Sequence, residues 1–246
     1  MVTVALAALW FVPAACGPGT DSDVVRSGQH EGSAPSVSSE PAAATPAADS
    51  SSRERVVFLG TSLTAGYGLD DETLRFTDRI QGKVDSAGLP FEIVNAGVSG
   101  DTSAGGFRRV GWLLRAPVRV IVIELGANDG LRGLSVDAMR GNLQAVMDSA
   151  RARYPEVRLV LAGMEAPPNL GSGYVSEFRT AFAELARKND AVLIPFLLDG
   201  VAGDSELNQV DGIHPTAEGH RRVSETVWSV LEPVLRDVVG TREPEP

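Results

Sequence analysis

The chain has 246 residues, 43% of them hydrophobic, which is enough for one domain of ordinary size with an apolar core and some additional sequence. Its net charge of -10 and pI near 4.8 argue against a nucleic-acid partner, because proteins that bind a phosphate backbone present clustered Lys and Arg. The same acidic balance is unsuited to docking on anionic lipid, so membrane association would need a covalent anchor.

The N-terminal segment, residues 1–16, has the pattern of an export signal. Residues 2–15 form an uncharged apolar run that ends in two small residues before Cys16, the only cysteine. The run is shorter than the ~20 apolar residues of a membrane-spanning helix, so we interpret it as a signal peptide. It resembles the bacterial lipoprotein signal, which makes Cys16 a candidate lipidation site, although Pro13 and the missing basic residues depart from that pattern. The alternative is an ordinary cleaved signal with Cys16 incidental; either predicts an extracytoplasmic protein, in the periplasm or cell envelope.

Residues 17–53 are rich in Ser, Ala, Pro and Gly and contain almost no large apolar side chains. Ordering them would cost ~1–2 kcal/mol per residue with no burial to offset it, so we predict a disordered tether in which His30 is solvated. One folded domain is predicted over residues 54–238, followed by a disordered tail over residues 239–246.

Within that domain, short β-branched runs alternate with longer segments of helical periodicity. Near-continuous hydrophobicity indicates strands buried on both faces, predicted over residues 55–60, 91–96, 118–125, 157–163 and 191–196. Between and after them, helices are predicted over residues 73–87, 104–115, 135–153, 175–189 and 216–238. The alternation predicts a three-layer α/β/α domain of flavodoxin-like type with a five-stranded parallel sheet, whose ligands bind at the carboxyl ends of the strands.

Four short segments with chemically active residues lie after strands or near the end of the domain: GTSLTAGYG, NAGVSGDTS, ELGANDG and DGIHP. Ser62 follows the first strand directly, which suits a nucleophile, but an isolated serine at this place is more often a helix N-cap. His214 is a candidate base for it, and Asp211 can orient the imidazole from three residues earlier. The other histidine of the domain, His220, lies among charged neighbours, and we interpret it as a solvated helix residue.

Acyl transfer also needs donors for the developing oxyanion. Gly100 could present an unobstructed backbone N–H after the second strand, and Asn128 could present its side-chain amide after the third. Taken singly, each is more often only a turn residue.

Together, the four segments resemble the four blocks of the SGNH (GDSL-like) hydrolases, and most closely the bacterial periplasmic branch of thioesterase I, arylesterase and lysophospholipase. The resemblance covers most of residues 55–238. It implies that Ser62, His214 and Asp211 form a catalytic triad. It also implies an oxyanion hole made of the Ser62 and Gly100 N–H groups and the Asn128 amide.

Thr61 stands where the name-giving motif of that family has Asp, a residue that is not the triad acid. The resemblance further implies a mobile substrate-side loop at residues 129–133. Residues 165–174, rich in Pro and Gly, form a second predicted loop. From these two segments we predict five substrate-binding residues: Asp129, Gly130, Leu131, Pro168 and Leu170.

The implied function is that of a serine esterase acting on carboxylic esters or thioesters, without a metal or organic cofactor and as a monomer. Small esters and lysophospholipids are the expected substrates, and an extracytoplasmic carbohydrate O-acetyl esterase is the alternative. A non-catalytic binding lipoprotein and a metal hydrolase with Asp129, Asp211 and His214 as ligands are weaker alternatives. A nucleotide-binding protein is disfavoured because the sequence has neither a GxxxxGK[ST] nor a GxGxxG motif.

Overall fold

The structure is a computed structural model that describes residues 53–241. The predicted signal peptide with Cys16, the tether up to residue 52 and the tail from residue 242 lie outside the described residues. In residues 53–241, no helix combines the length and the apolar character that crossing a membrane requires.

In the described part of the chain, five parallel strands form one sheet in the order β2-β1-β3-β4-β5. Their bounds are β1 Glu54–Gly60, β2 Phe91–Gly97, β3 Val120–Glu124, β4 Arg158–Ala162 and β5 Val192–Ile194. All five predicted strands are present, and the parallel sheet is confirmed. The last one is shorter than predicted because Pro195, which has no backbone N–H, follows Ile194 and cannot extend the ladder.

Within residues 53–241, seven α-helices connect or follow the strands. They are α1 Ser62–Ala65, α2 Phe76–Ser86, α3 Ser103–Leu113, α4 Ala127–Leu131, α5 Val136–Arg153, α6 Ser172–Lys188 and α7 Ala217–Gly240. On one face of the sheet α2 packs against α7, and α5 packs between α3 and α6 on the other, which gives the predicted three-layer α/β/α arrangement. After β1 the chain adds β2 on one side of it and then β3 on the other, so the strand order reverses between β1 and β3. In folds of this type, ligands bind at the carboxyl ends of the two strands where the order reverses.

Several other predicted boundaries differ from the structure. The helix predicted from residue 73 starts at Phe76, because Glu72–Leu74 forms a separate 3₁₀ turn. The predicted loop at residues 165–174 contains the 3₁₀ turn Pro168–Leu170 and the first residues of α6. The predicted mobile loop at residues 129–133 begins within α4, and α7 continues beyond residue 238 to Gly240.

The prediction for His220 was also wrong, because its side chain is only 1% exposed. It lies on the same face of α7 as Val223 and Val227, one and two turns later, and that face packs into the core. Its Nδ1 accepts a hydrogen bond from the Phe76 N–H at 3.2 Å, and the two rings are stacked. Burial lowers the pKa of His220 to about 4, so it is a neutral core residue.

Candidate active site

Ser62 is the first residue of α1, at the carboxyl end of β1. Thr61, and not Ser62, is the N-cap, because the Thr61 side chain accepts the Leu63 N–H. The helix ends after one turn at Gly66, whose φ of 73° is the left-handed conformation that glycine adopts without strain. The Ser62 N–H has no hydrogen-bond partner among the described residues, so it is free to meet a ligand.

The loop before α7 brings His214 to this serine. Its Nε2 lies 2.9 Å from Ser62 Oγ, and its Nδ1 lies 2.6 Å from Asp211 Oδ2. The other carboxylate oxygen of Asp211 accepts the N–H groups of Ile213 and His214 at 2.9 and 3.0 Å. The bond to the His214 side chain, followed by these backbone bonds, lowers the pKa of Asp211 to about 2. An ionised Asp211 fixes the proton of the neutral imidazole on Nδ1, which leaves Nε2 to accept the proton of Ser62.

Asn128 lies in the first turn of α4 and lines the same pocket as Ser62, and its side chain contacts the turn at Gly100 and Asp101. Gly100 has a φ of 81°, and its N–H has no partner among the described residues. The Asn128 side chain donates one amide hydrogen to the carbonyl of Asp101 at 2.9 Å, which leaves the second one available. Arg132 donates to the Gly100 carbonyl at 3.0 Å. The arrangement can therefore offer several N–H donors to an anionic oxygen near Ser62.

A pocket of about 680 Å³ opens beside Ser62 and His214. Of the predicted substrate-binding residues, Leu131 and Pro168 line it, whereas Asp129, Gly130 and Leu170 do not. Ala166 and Pro167 of the predicted 165–174 segment also line it, and the apolar wall is extended by residues that were not predicted: Leu63, Met164, Phe196, Leu198 and Ile213. Such a pocket can hold an apolar group next to the serine hydroxyl.

Asp129 is buried and turned toward α3, with a relative exposure of 3%. Its two oxygens accept the Ser103 hydroxyl at 2.6 Å and the Ser103 N–H at 2.7 Å. It therefore joins the first turns of α3 and α4 instead of facing the pocket. Within residues 53–241, no group of three or more His, Cys, Asp or Glu side chains is arranged to hold a metal ion.

Two charged residues that support the site were not predicted. Arg109 donates to Asp101 Oδ2 at 2.6 Å and to the carbonyls of Ala96 and Gly60 at 2.7 Å each, so it joins the ends of β1 and β2 to the Gly100 loop. Glu124, the last residue of β3, is fully buried, and its carboxylate accepts hydrogen bonds from residues of the Ser62 turn. The sequence signal for Glu124 was present, because it is a carboxylate at the end of an otherwise apolar strand.

An aromatic ring also adjoins the histidine. The Tyr67 ring lies 4.6 Å from the His214 ring, centroid to centroid, and is half exposed. Gln209 donates to the Tyr67 carbonyl at 2.8 Å and ties the two segments together. Tyr67 therefore packs against the His214 ring.

Comparison with known proteins agrees with this geometry. Residues 58–222 match the model of the GDSL-like Lipase/Acylhydrolase family. The chain is 37% identical to esterase TesA of Pseudomonas aeruginosa over 183 residues, which cover 74% of this chain and 90% of that protein. It is 30% identical over 186 residues to thioesterase 1/protease 1/lysophospholipase L1 of Escherichia coli K12, covering 74% of this chain and 85% of that one.

The chain is also similar to a solved structure, in fold as well as in sequence. The psychrotrophic esterase EstA from Pseudoalteromonas sp., inhibited by monoethylphosphonate, superposes with a TM-score of 0.69 at 32% identity, covering 74% of this chain and 99% of that one. The family match spans more than half of the chain, and each relative is matched over most of its length. This chain therefore belongs to the GDSL-like lipase/acylhydrolase family and is an ester hydrolase of the SGNH type.

Proposed function

We propose that the chain hydrolyses carboxylic esters and thioesters by a two-step acyl transfer in which Ser62 is the nucleophile. The observation that carries this proposal is the unbroken hydrogen-bonded chain from Ser62 Oγ through the His214 ring to Asp211, at 2.9 and 2.6 Å. A serine hydroxyl is a poor nucleophile until a base removes its proton. Here His214 is the base, and Asp211 orients it.

In the first step the Ser62 oxygen attacks the carbonyl carbon while His214 Nε2 takes the hydroxyl proton. The carbonyl oxygen becomes an oxyanion, which the N–H groups of Ser62 and Gly100 and the Asn128 amide stabilise. The tetrahedral intermediate collapses, the bond to the alcohol or thiol breaks, and the leaving group takes the proton from His214. An acyl-Ser62 ester remains.

In the second step water attacks the acyl-Ser62 carbonyl and gives a proton to His214. Collapse of the second tetrahedral intermediate releases the carboxylic acid, and the proton returns to Ser62. Asp211 stays ionised throughout and stabilises the imidazolium that forms during each step, whereas His214 is neutral in the acyl-Ser62 intermediate. The scheme balances without a metal or an organic cofactor.

The pocket favours substrates with an apolar acyl or aryl group larger than acetyl. It measures about 680 Å³, a volume in the range of sites that bind drug-sized ligands. Small acyl esters, aryl esters and lysophospholipids fit this description, and the names of the relatives include esterase, thioesterase and lysophospholipase. We further propose that the protein acts as a monomer in the periplasm or cell envelope, held to the membrane through Cys16.

The direct test is Ser62→Ala in a p-nitrophenyl butyrate assay. Loss of turnover with an unchanged melting temperature is the expected result, and near-wild-type rates would reject the nucleophile. Ser149→Ala is the matched control, because the Ser149 hydroxyl donates to the Ala145 carbonyl within α5 and Ser149 does not line the pocket. A fluorophosphonate should label the wild type and Ser149→Ala, but not Ser62→Ala.

A chain-length series of p-nitrophenyl esters, run beside an acetylated sugar and a lysophospholipid, tests the substrate class. We expect kcat/KM to rise from acetyl to longer chains, because each buried methylene contributes ~0.8 kcal/mol. Activity restricted to acetyl esters would instead identify a carbohydrate O-acetyl esterase.

A further inference from the structure

Glu124 holds the turn that carries Ser62 at both of its ends. The Glu124 carboxylate accepts the Thr61 N–H at 2.7 Å and the Thr64 N–H at 3.1 Å. It also accepts the hydroxyl of Thr61 at 2.9 Å and that of Thr64 at 2.7 Å. Ser62 lies between these two threonines, so four hydrogen bonds from its neighbours end on one carboxylate.

The contact is closely fitted. Glu124, Thr61 and Thr64 have relative exposures of 0%, 1% and 0%. A Cβ on Gly60 would lie 2.6 Å from the Glu124 carboxylate and 2.0 Å from the Thr64 hydroxyl, so only glycine allows this approach. Glu124 also pairs with Gly60 in the ladder between β1 and β3, which fixes its backbone relative to the turn.

The donors around Glu124 are neutral, and no Lys, Arg or His of residues 53–241 is hydrogen-bonded to it. Burial raises the pKa of Glu124, and the hydrogen bonds from Thr61 and Thr64 oppose this rise. The two backbone N–H groups can only donate, so their bonds are strongest when the carboxylate is ionised. The turn thus presents four hydrogen-bond donors to one buried acceptor.

From this geometry we propose that Glu124 is a positioning residue for the nucleophile: through Thr61 and Thr64 it fixes α1 so that Ser62 Oγ meets His214. The proposal rests on the proposed function of Ser62. Thr61 takes part in this contact through its hydroxyl, which donates to Glu124 at 2.9 Å.

The Thr64 variants test the proposal without touching the pocket. Thr64→Val removes one donor to Glu124 at nearly constant shape, and Thr64→Ser keeps it. Since a displacement of ~1 Å can cost ~100-fold in rate, we expect Thr64→Val to lower kcat about 10-fold. KM should change by less than about 2-fold, because the pocket that binds the acyl group is intact. Thr64→Ser should restore most of the wild-type kcat.

Thr61→Asp and Thr61→Asn form the second pair. Both side chains are good N-caps, so the start of α1 is maintained in each. The new amide of Thr61→Asn can donate to Glu124, whereas the new carboxyl group of Thr61→Asp must share a proton with Glu124, as two carboxylates in contact cannot both ionise cheaply. When rising pH removes the shared proton, repulsion displaces the turn. From about pH 6 to about pH 9 we expect kcat of Thr61→Asp to fall about 10-fold relative to Thr61→Asn.

The outcomes separate this proposal from the proposed function. The fluorophosphonate test on the wild type and Ser62→Ala decides the nucleophile independently of Glu124. Given a labelled wild type, equal kcat values for folded Thr64→Val and wild type, or parallel pH profiles for the two Thr61 variants, would overturn the role of Glu124. Glu124→Gln replaces one carboxylate oxygen by an amide NH₂ group, which would face the donors of Thr61 and Thr64 and cannot accept their hydrogen bonds. We expect this variant to lower kcat about 100-fold. If it does not fold, the Thr64 and Thr61 pairs still decide.

Discussion

Replacement of Arg109 by Met should weaken both the fold and the reaction. The guanidinium of Arg109 makes three hydrogen bonds, to the Asp101 carboxylate and to the carbonyls of Gly60 and Ala96. The side chains of Arg109 and Asp101 are only 22% and 17% exposed, so the pair is partly shielded from water. Met fills a similar volume but leaves the Asp101 carboxylate without its cation.

The expected loss of stability follows from what stays paired. The Gly60 carbonyl still accepts the Val98 N–H at 3.0 Å, so the Asp101 carboxylate carries most of the cost. Leaving a partly buried charge unpaired costs several kcal/mol at most, and hydrogen bonds to charged groups contribute about 1.5–3 kcal/mol each. We therefore expect Arg109→Met to lower the free energy of unfolding by about 2–4 kcal/mol.

The effect on the reaction passes through Asp101. Its carbonyl accepts the Asn128 amide, and its neighbour Gly100 carries a free N–H, so displacement of Asp101 misaligns both proposed oxyanion donors. Complete loss of one such donor costs about 2.7–4 kcal/mol of activation free energy, and misalignment should cost less. We expect kcat to fall about 10- to 100-fold, with KM nearly constant.

Urea unfolding gives the stability change, and p-nitrophenyl butyrate kinetics give kcat and KM. Arg108→Met is the matched control, because Arg108 is the exposed neighbour on α3 and should change stability by less than about 0.5 kcal/mol. Arg109→Lys keeps the charge but not the planar fork, so its kcat should fall between the two. A destabilised Arg109→Met with wild-type kcat would refute the link to the oxyanion donors.

Three further changes test other parts of the site and fold. Asp211→Asn should lower kcat about 1,000- to 10,000-fold at neutral pH, because an amide no longer fixes the His214 tautomer; a loss below 10-fold in the ester assay would contradict this. Gly100→Ala should lower the free energy of unfolding by about 1–2 kcal/mol and lower kcat, because the φ of 81° at Gly100 is strained for alanine. A steric clash is not the cause, since the nearest atom to the new Cβ would be 3.8 Å away. A melting temperature and a kcat equal to those of the wild type would contradict this prediction. His220 has a pKa of about 4 when folded and 6.5 as the reference value, so only the unfolded chain gains its proton between these pH values. Stability should therefore fall as pH drops from 6.5 to 4, by at most about 3 kcal/mol, and His220→Asn should remove this part of the pH dependence in denaturant titrations.

The central strands β1, β3 and β4 were predictable because burial on both faces leaves a nearly continuous apolar run in the sequence. The helices that carry Ser62 and Asn128 were not, because α1 and α4 have four and five residues and are too short to show helical periodicity. The positions of Ser62, Gly100, Asn128 and His214 were nonetheless foreseen, since each follows a strand or lies in the last loop. A parallel sheet places such positions at one edge.

The side chains that were misjudged or missed share a different property: their partners are distant in sequence. Glu124 accepts hydrogen bonds from Thr61 and Thr64, which precede it in the sequence by 63 and 60 positions. Arg109 donates to the carbonyl of Gly60, which precedes it by 49 positions. Asp129 was predicted to face substrate, but its partner Ser103 lies 26 positions before it. The local pattern around a charged residue indicates only that it is polar, and the fold decides whether it meets a ligand or a buried backbone group.

The use of buried charges at this site has a physical reason. After β1 and β2 end, the N–H groups of Thr61, Thr64 and Ser103 donate to carboxylates and not to strand or helix carbonyls. Arg109 donates to the Ala96 carbonyl near the end of β2. Apolar side chains could fill the same volume but would leave each of these groups unpaired at a cost of about 1–3 kcal/mol. A charged acceptor or donor satisfies several of them at once and fixes their direction. The buried charged residues Glu124, Asp129 and Arg109 thus fix the turns that carry Ser62, Gly100 and Asn128, because directional hydrogen bonds orient a turn more strictly than apolar packing does.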